Sequence, residues 1–307
     1  MLLSRRRAAA IFAASVATIA AGLPVLPGCT DRAGNSGPAN TGQPRIVVLS
    51  PALGVTARDL GLAPLVVGRH GYDLALDRAL PVCGDFAGID YETLLSVRPT
   101  HVIIEWGSRP LPERLGELAA GNGWKVEQFS IRTLEDIRAS VRRFAEVFST
   151  CEPKAVQMLA AMDDAWRTGK ADISGTGSVL LLHTVSPPTA LGPGSFHHQI
   201  LTSIGGAPAI TSGSPYMELD AEDLLRLDPS CVLVVSARAP DTPPRASTRL
   251  SAEEARAMFG EKLATNLAAV RLARVVVLDD PAALLPSTSM IDLAGQMRRA
   301  LEDLAAR

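Results

Sequence analysis

The chain has 307 residues, which is long enough for two domains of ordinary size. Hydrophobic residues make up 47% of the sequence and charged residues 20%, a composition that excludes an intrinsically disordered protein. The formal net charge is −2 and no block of five or six like charges occurs, so the sequence does not indicate a nucleic-acid-binding surface. We therefore expect a globular protein with no nucleic-acid partner.

The N-terminus predicts export. Three arginines at 5–7 precede an uncharged run over 8–28 that is rich in Ala, Ile, Val and Leu, which is the order of a signal peptide. A transmembrane anchor is the alternative, but Gly22, Pro24 and Pro27 interrupt the run and would weaken a spanning helix. We predict a signal peptide over 1–28. The choice between the general and the twin-arginine export routes stays open.

The segment that follows the signal predicts a lipid anchor on a tether. Leu26-Pro27-Gly28-Cys29 resembles a bacterial lipobox, which implies acylation of the Cys29 thiol. The next residues, through 44, are mostly Gly, Asn, Ser, Pro, Thr and Gln, the composition of a flexible linker. We expect a membrane-anchored tether over 29–44.

Short apolar strands alternate with helices from residue 45 to residue 129. The apolar runs predict strands, and the segments with three- and four-residue spacing predict helices. The predicted strands are 46–49, 65–68, 101–105 and 126–129, and the predicted helices are 55–60, 91–97 and 111–122. We assign an N-terminal α/β lobe to 45–149.

A helical tract and a second α/β segment complete the chain. The tract covers 133–148 and 153–167 without an internal glycine, and we predict that 150–169 is a bridging helix. The second lobe, 170–307, has predicted strands at 179–183, 231–235 and 275–278 and predicted helices at 196–204, 222–227, 253–259 and 291–305. The predicted fold class is α/β, with two Rossmann-like lobes that each hold a mostly parallel sheet and are joined by one long rigid helix.

The remaining cysteines predict buried apolar positions. Cys83, Cys151 and Cys231 show no C-x-x-C spacing, and Cys231 lies within an apolar strand. Free cysteine is among the most often buried residue types, so we expect three thiols without a metal.

The order of several segments resembles the substrate-binding proteins of cobalamin, ferric-siderophore and haem ABC importers. The segments are RIVVLSP at 45–51, GLAPLVVG at 61–68, GDFAGIDYETLLSVRP at 84–99, HVIIEW at 101–106, GPGSF at 192–196 and EDLLRLDP at 222–229. The resemblance implies a class III periplasmic binding protein, with two lobes bridged by a rigid helix. It also implies a monomer that carries a metal chelate to an ABC permease and its ATPase, has no enzymatic activity, and is located in the periplasm or on the cell surface.

Candidate ligand-binding residues lie where the predicted parallel strands end. Loops beyond the carboxyl ends of such strands form the ligand crevice in α/β folds. Tyr72, Phe86, Trp106, Phe196 and Tyr216 are on or beside these loops, although the chain has only 13 aromatic residues in all (three Trp, three Tyr and seven Phe). This concentration favours a broad, flat, partly apolar ligand. The resemblance points to Trp106 and Tyr216 in particular, because an aromatic residue occupies each of these places in cobalamin-binding members.

Polar residues on the same loops complete the predicted site. We add Ser50, Pro51, His70, Ser195 and His197 as ligand contacts, and we expect Ser195 also to cap the helix after it. One of the histidines His70, His197 and His198, or Tyr72, could instead coordinate the metal of the chelate, and that alternative stays open. His101 and His183 are in or beside strands and are predicted to be structural.

Two glutamates are candidates for docking to the permease. The resemblance implies one surface glutamate on each lobe that faces arginines of the transporter. Glu113 and Glu222 match these by position. Glutamate in the first turn of a helix is also expected from the helix dipole alone.

The sequence is less consistent with two other functions. A secreted hydrolase would need Ser195 as its nucleophile, but the surrounding residues do not form G-x-S-x-G. A bare metal ion would need several converging ligands, and the five histidines form no His-rich loop. We expect a chelate as cargo and no permanent cofactor. Cobalamin or another corrinoid, a ferric siderophore and haem all remain open.

Overall fold

The computed structural model describes residues 42–107, 109–169, 172–237 and 247–306. The predicted signal peptide, the predicted lipidation site Cys29 and most of the predicted tether lie outside these residues. Among the residues that are described, no helix combines the length and the apolar character needed to cross a bilayer.

The first lobe is built on a sheet of five parallel strands. The strands are β1 (Ile46–Leu49), β2 (Val66–His70), β3 (Val82–Gly84), β4 (His101–Glu105) and β5 (Lys125–Phe129), in the spatial order β3-β2-β1-β4-β5. The helices of this lobe are α1 (Pro51–Asp59), α2 (Tyr91–Ser96) and α3 (Glu113–Asn122). Ile46 and Val48 pack on one face of the sheet, and Val47 and Leu49 pack on the other. Because both faces are buried, β1 is apolar throughout.

Two helices connect the lobes. They are α4 (Leu134–Val147) and α5 (Glu152–Ala165), which are joined by a 3₁₀ turn at Ser149–Cys151. The first begins at a capping box formed by Thr133 and Asp136. The predicted bridging helix, 150–169, corresponds to α5 but extends too far at both ends. At its C-terminus the helix stops because the Trp166 backbone leaves the helical region and the Trp166 indole donates a hydrogen bond to the Met290 carbonyl.

The second lobe contains a sheet of seven strands. They are β6 (Ser178–Val185), β7 (Pro188–Leu191), β8 (Ala207–Pro208), β9 (Tyr216–Glu218), β10 (Cys231–Ser236), β11 (Thr248–Arg249) and β12 (Val275–Asp279). The helices are α6 (Phe196–Ser203), α7 (Ala221–Leu227), α8 (Ala252–Phe259), α9 (Glu261–Asn266), α10 (Ala268–Arg271) and α11 (Met290–Ala305).

This second sheet is mixed, which corrects the prediction of two mostly parallel sheets. Four strands form a parallel set in the order β12, β10, β6 and β8. The other three strands pair antiparallel with a neighbour: β11 with β12, β7 with β6, and β9 with β7. β7 returns directly beside β6 after a turn at 186–187, and only an antiparallel pairing allows so short a connection. Its residues, like those of β9, come from segments rich in Gly, Pro and Ser, in which the sequence pattern predicts no strand.

One hydrophobic core is shared by both lobes. It includes Val48 of the first sheet, Phe144 of α4, Met162 of α5, Leu233 of the second sheet and Leu301 of α11. The helices of the link therefore pack against both lobes rather than standing free between them.

The three described cysteines confirm the prediction of buried, unpaired thiols. Burial raises the pKa of Cys83 and of Cys231 to about 11. Since the thiolate is the reactive form, these side chains act as small apolar groups in the core.

Candidate functional site

A cavity of about 550 Å³ opens at the carboxyl edge of the first sheet. Its walls come from the ends of β1, β2, β3 and β4 and from the segments that follow them, because parallel strands end at the same edge. The lining residues are Leu49, Ser50, Pro51, His70, Gly84, Asp85, Phe86, Ala87, Gly88, Ile89, Ile104, Glu105, Trp106, Gly107, Arg109 and Arg132. The volume is in the range of small-molecule sites.

Three rings on the β2 and β3 side form an aromatic cluster, namely His70, Tyr72 and Phe86. Tyr72 stacks on Phe86 with ring centroids 5.1 Å apart, and His70 meets Phe86 edge-on at 4.7 Å. Phe86 is 77% exposed and Tyr72 is 61% exposed. Burying such large apolar rings is favourable, so exposed stacked rings beside a cavity indicate a surface that a ligand covers.

His70 is the buried member of the aromatic cluster. Its Nδ1 accepts a hydrogen bond from the Tyr72 backbone N–H at 3.1 Å, which fixes the ring relative to the loop. Burial lowers the pKa of His70, although the charges of Asp85 and Asp73 oppose this shift. The ring is therefore neutral near pH 7, and its Nε2 is the nitrogen that carries the proton.

The loop that carries Tyr72 packs closely against α1. Asp73 is buried, and its Oδ1 accepts hydrogen bonds from the backbone N–H groups of Ala75 and Leu76. A Cβ on Gly54 would lie only 1.7 Å from Asp73 Oδ2, so α1 needs glycine at that position. Burial raises the pKa of the Asp73 carboxyl, with the two backbone hydrogen bonds acting in the opposite direction.

Trp106 follows β4, which is separated from β2 by β1 in the sheet, and it lines the same cavity. Its indole donates a hydrogen bond to the Pro110 carbonyl at 3.0 Å, and the Arg109 guanidinium lies 4.2 Å above its ring centroid. Arg132, just before α4, also lines the cavity. The site therefore combines flat apolar surfaces with two guanidinium groups.

Glu105, the last residue of β4, adds a carboxyl group that the sequence analysis missed. Its Oε2 accepts a hydrogen bond of 2.8 Å from the Ser50 hydroxyl, and Ser50 in turn caps α1 by accepting from the Leu53 N–H. Burial raises the pKa of Glu105, and the Ser50 hydrogen bond opposes the shift. The signal was present in the sequence, since Glu105 is the one carboxylate of the predicted strand 101–105 and stands at its end.

The predicted residues of the second lobe come together at a different place. Tyr216 pairs with Leu191 in the ladder between β9 and β7, and the Gly192 N–H donates to the Pro215 carbonyl. Tyr216 thus lies beside the 192–195 loop that leads into α6. Its side chain is 54% exposed.

Ser195 and Phe196 hold the start of α6. Ser195 is buried and its hydroxyl accepts a hydrogen bond from the His198 N–H, so the predicted capping role is confirmed. Phe196 is partly buried and packs on the shared core. Neither residue lines the cavity of the first lobe.

The structure corrects the prediction that His197 contacts the ligand. The prediction placed it on the ligand, but it is only 1% exposed and its Nε2 lies 2.7 Å from the Ala283 carbonyl. Burial is the largest cause that lowers the pKa of His197 to about 4. The ring packs inward between α6 and the 280–289 segment because it lies one residue past the start of the helix, on the helix face that meets the core.

Hydrogen bonds connect the two halves of the predicted site. The Leu134 N–H, two residues after Arg132, donates to Gln199 Oε1 at 3.1 Å, and Gln199 Nε2 donates to the Gly194 carbonyl at 3.3 Å. The 192–195 loop is thereby tied to the segment that borders the cavity. All the residues that line the cavity nevertheless precede α4.

A second cavity, of about 610 Å³, lies between the C-terminal half of α1, the middle of α5 and residues 280–292. Its acidic side chains are Asp59, Asp280 and Asp292, and Thr288 donates a hydrogen bond to Asp59 across the lobes. No aromatic residue is among those that line it. The first cavity is therefore the candidate site, although the second is slightly larger.

Neither cavity forms a metal centre from protein side chains. Over the described part of the chain there is no group of three or more His, Cys, Asp or Glu residues that could hold a metal ion. The candidate site offers aromatic faces for stacking and polar groups for hydrogen bonding.

Glu113 and Glu222 are both at the surface. Glu113 is the first residue of α3 and Glu222 is the second residue of α7, and both side chains are exposed. They thus lie on different lobes, each in the first turn of a helix.

Comparisons with known proteins agree with the architecture. No protein-family model matches the chain. The vitamin B12-binding proteins of Salmonella paratyphi A and Salmonella typhimurium are each 24% identical over 194 residues, which is 62% of this chain and 72% of the relative. The periplasmic vitamin B12-binding protein of Vibrio cholerae superposes with a TM-score of 0.62 at 18% identity, covering 86% of this chain and 98% of that structure. The periplasmic haem-binding protein of Vibrio cholerae gives 0.63 at 20% identity, covering 84% and 98%.

These similarities confirm the predicted fold. The chain has the two-lobed architecture of class III periplasmic binding proteins. The proteins and structures just named are binding proteins and not enzymes, which agrees with the prediction from the sequence.

Proposed function

We propose that this chain is the substrate-binding protein of an ABC importer and that its cargo is a bulky metal chelate held at the cavity of the first lobe. The observation that carries the proposal is a set of exposed or partly exposed aromatic rings at a cavity of about 550 Å³ in a class III binding fold. Phe86 and Trp106 line the cavity, and Tyr72 stacks on Phe86. Flat rings of this kind favour a flat, partly apolar ligand.

A cobalt corrinoid is the cargo that we place first. The sequence relatives are named vitamin B12-binding proteins, and one of the structural neighbours carries the same name. Haem is the alternative, because a haem-binding protein is an equally good structural neighbour and because the exposed Tyr72 phenol could coordinate an iron. A ferric siderophore is a third candidate. In each case the chelate is cargo and not a permanent cofactor.

The ligand contacts divide between the lobes. In the first lobe we assign Ser50, Pro51, His70, Phe86 and Trp106, which line the cavity, with Tyr72 stacked on Phe86. In the second lobe we assign Tyr216 and Phe196 as the facing apolar surface, since Tyr216 is exposed beside the 192–195 loop. Ser195 stabilises the end of that loop, because its hydroxyl caps α6.

We also propose an exported, lipid-anchored location and a membrane partner. The signal over 1–28 would be removed and Cys29 acylated, so the tether would hold a monomer at the membrane surface. Glu113 and Glu222 would then meet basic residues of the permease, which works with its ATPase. Their exposure on separate lobes supports this assignment.

Two rival functions are less well supported. A hydrolase would need a reactive Ser195, but that hydroxyl is buried and engaged in capping α6. A bare metal ion would need a cluster of ligands, and none occurs within the described residues.

Calorimetric titration of the mature chain tests the proposal. Cys29→Ser would prevent acylation, and the protein would be titrated with cyanocobalamin, haemin, a ferric hydroxamate siderophore and zinc. We expect a dissociation constant below about 1 μM for one of the chelates. If only zinc binds, or if nothing binds, the chelate assignment fails.

A further inference from the structure

Glu105 differs from the other acidic residue at the cavity in how its oxygens are used. Asp85 Oδ1 accepts hydrogen bonds from the Ala87 and Gly88 N–H groups, so that carboxylate closes its own turn. Glu105 comes from a strand end, and its one described hydrogen bond is from the Ser50 hydroxyl to Oε2. The Oε1 atom of Glu105 accepts from no described protein donor.

Basic groups at the cavity do not neutralise this carboxyl. Among the ion pairs of the described residues, none includes Glu105. The Arg109 guanidinium lies over Trp106, and its Nε donates to the Trp106 carbonyl. A half-buried carboxylate with a single hydroxyl partner loses hydration without full compensation, so a donor supplied by a ligand would gain a strong, charge-assisted hydrogen bond.

We propose that Glu105, held by Ser50, is a specificity-determining residue that accepts a hydrogen bond from an amide N–H at the rim of the cargo. This inference rests on the proposed function. A corrinoid carries primary amides around its ring, whereas haem carries propionates. A carboxylate placed against Glu105 would bring two like charges together, so the same residue would reject it. The site therefore selects amide-bearing chelates over carboxylate-bearing ones.

The sharpest probes are cyanocobalamin and its monocarboxylic acids, in which one amide is hydrolysed. Wild-type protein should bind cyanocobalamin, and at least one monocarboxylic acid should bind about tenfold more weakly. In Glu105→Gln the affinity for cyanocobalamin should fall about tenfold, and the penalty against that acid should shrink. Glu117→Gln, an exposed change on α3, is the matched control and should leave both affinities unchanged.

The pH dependence of affinity is a second test of the same inference. Burial raises the pKa of Glu105, so the ionised acceptor is lost earlier on acidification than at an exposed glutamate. Cyanocobalamin affinity should begin to fall at a higher pH than the one at which an exposed glutamate titrates, and this fall should be smaller in Glu105→Gln. His70, Asp85, Arg109 and Arg132 face the same cavity and are retained in the variant, so the difference between the two profiles reports Glu105.

The possible results of these titrations distinguish a failure of the inference from a failure of the proposed function. If no chelate binds to wild-type protein, the proposed function fails and the inference with it. If cyanocobalamin binds but Glu105→Gln matches wild type in affinity, in discrimination and in pH profile, the inference is wrong and the function stands. Tight binding of haemin in place of cyanocobalamin would likewise overturn the inference alone.

Discussion

The two lobes share an architecture but differ at the edge where a ligand would bind. In the first lobe all five strands are parallel, and five of the predicted contacts line one open cavity. In the second lobe the antiparallel strands β7 and β9 extend the sheet, and none of the four predicted contacts lines that cavity. A strand end thus predicts a position at the cavity where the sheet is wholly parallel, and is a weaker guide where antiparallel strands have been added.

The largest expected effect follows from this asymmetry. Trp106→Ala should weaken chelate binding on the order of a hundredfold, about 3 kcal/mol, because a partly buried ring at the cavity wall is lost. Tyr216→Ala should cost roughly tenfold, since that ring is more exposed. Calorimetry measures both. Tyr91→Ala is the control, because this first-lobe ring packs against Arg114 and away from the cavity. Equal losses of chelate affinity in Trp106→Ala and Tyr216→Ala would contradict the expected difference between the lobes.

The buried histidine of the second lobe predicts a loss of stability in acid. Because the pKa of folded His197 is lowered from 6.5 to about 4, unfolding takes up a proton below about pH 6.5. The stability that depends on neutral His197 is complete above that pH and is lost as the pH falls toward 4, about 3 kcal/mol in all. Chemical denaturation of His197→Gln should therefore show a flatter pH dependence than wild type.

His70 of the first lobe provides a comparison for this test. His70→Gln should flatten the profile in the same direction but by less, because His70 borders a cavity that water can enter. If His197→Gln has the same acid sensitivity as wild type, the interior position of His197 is contradicted.

Both site loops depend on a glycine that a neighbour approaches closely. Gly54→Ala in the first lobe would place a Cβ 1.7 Å from Asp73 Oδ2, and Gly192→Ala in the second would place one 2.5 Å from the Ser214 carbonyl. Each should lower the free energy of unfolding by about 2 kcal/mol. Gly116→Ala on α3 is the control, since nothing lies within 4 Å of its Cβ and alanine favours a helix by up to about 1 kcal/mol. Destabilisation by this control would argue against the steric explanation.

The smallest expected effect concerns docking, where we expect the lobes to contribute equally. Glu113→Lys or Glu222→Lys should raise the protein concentration needed for half-maximal transport about tenfold, about 1.4 kcal/mol, without changing cargo affinity. Glu117→Lys on α3 and Glu253→Lys in the first turn of α8 are matched exposed controls. Uptake by reconstituted transporter is the measurement. An equal effect from the controls would indicate general charge repulsion and no specific docking.

The sequence predicted most of the fold because the central strands are apolar and separated by regular helices. Strands such as 46–49 and 101–105 were predicted at the bounds that the structure has. The strands β3, β7 and β9 were missed because each has only three or four residues and lies at or near a sheet edge, where alternation and apolar content are weak.

The site was predictable only in part. Phe86 and Trp106 follow strands, and an end of a parallel strand has a defined location. The prediction that His197 contacts the ligand was wrong, because the sequence indicates that α6 begins after Ser195 but not which face of the helix packs on the core. Glu105 was missed because the hydrogen bond from Ser50 depends on the pairing of β1 with β4, which joins positions 55 residues apart.

The shared core has a consequence for the kinetics of cargo loading. Met162 of α5 and Phe144 of α4 pack in the same core as strands of both sheets, so a wide rotation of one lobe against the other would break apolar contacts that stabilise the whole protein. Loading would then proceed by direct encounter with an open cleft, and the observed association rate should rise in proportion to chelate concentration without a plateau from a slow closing step.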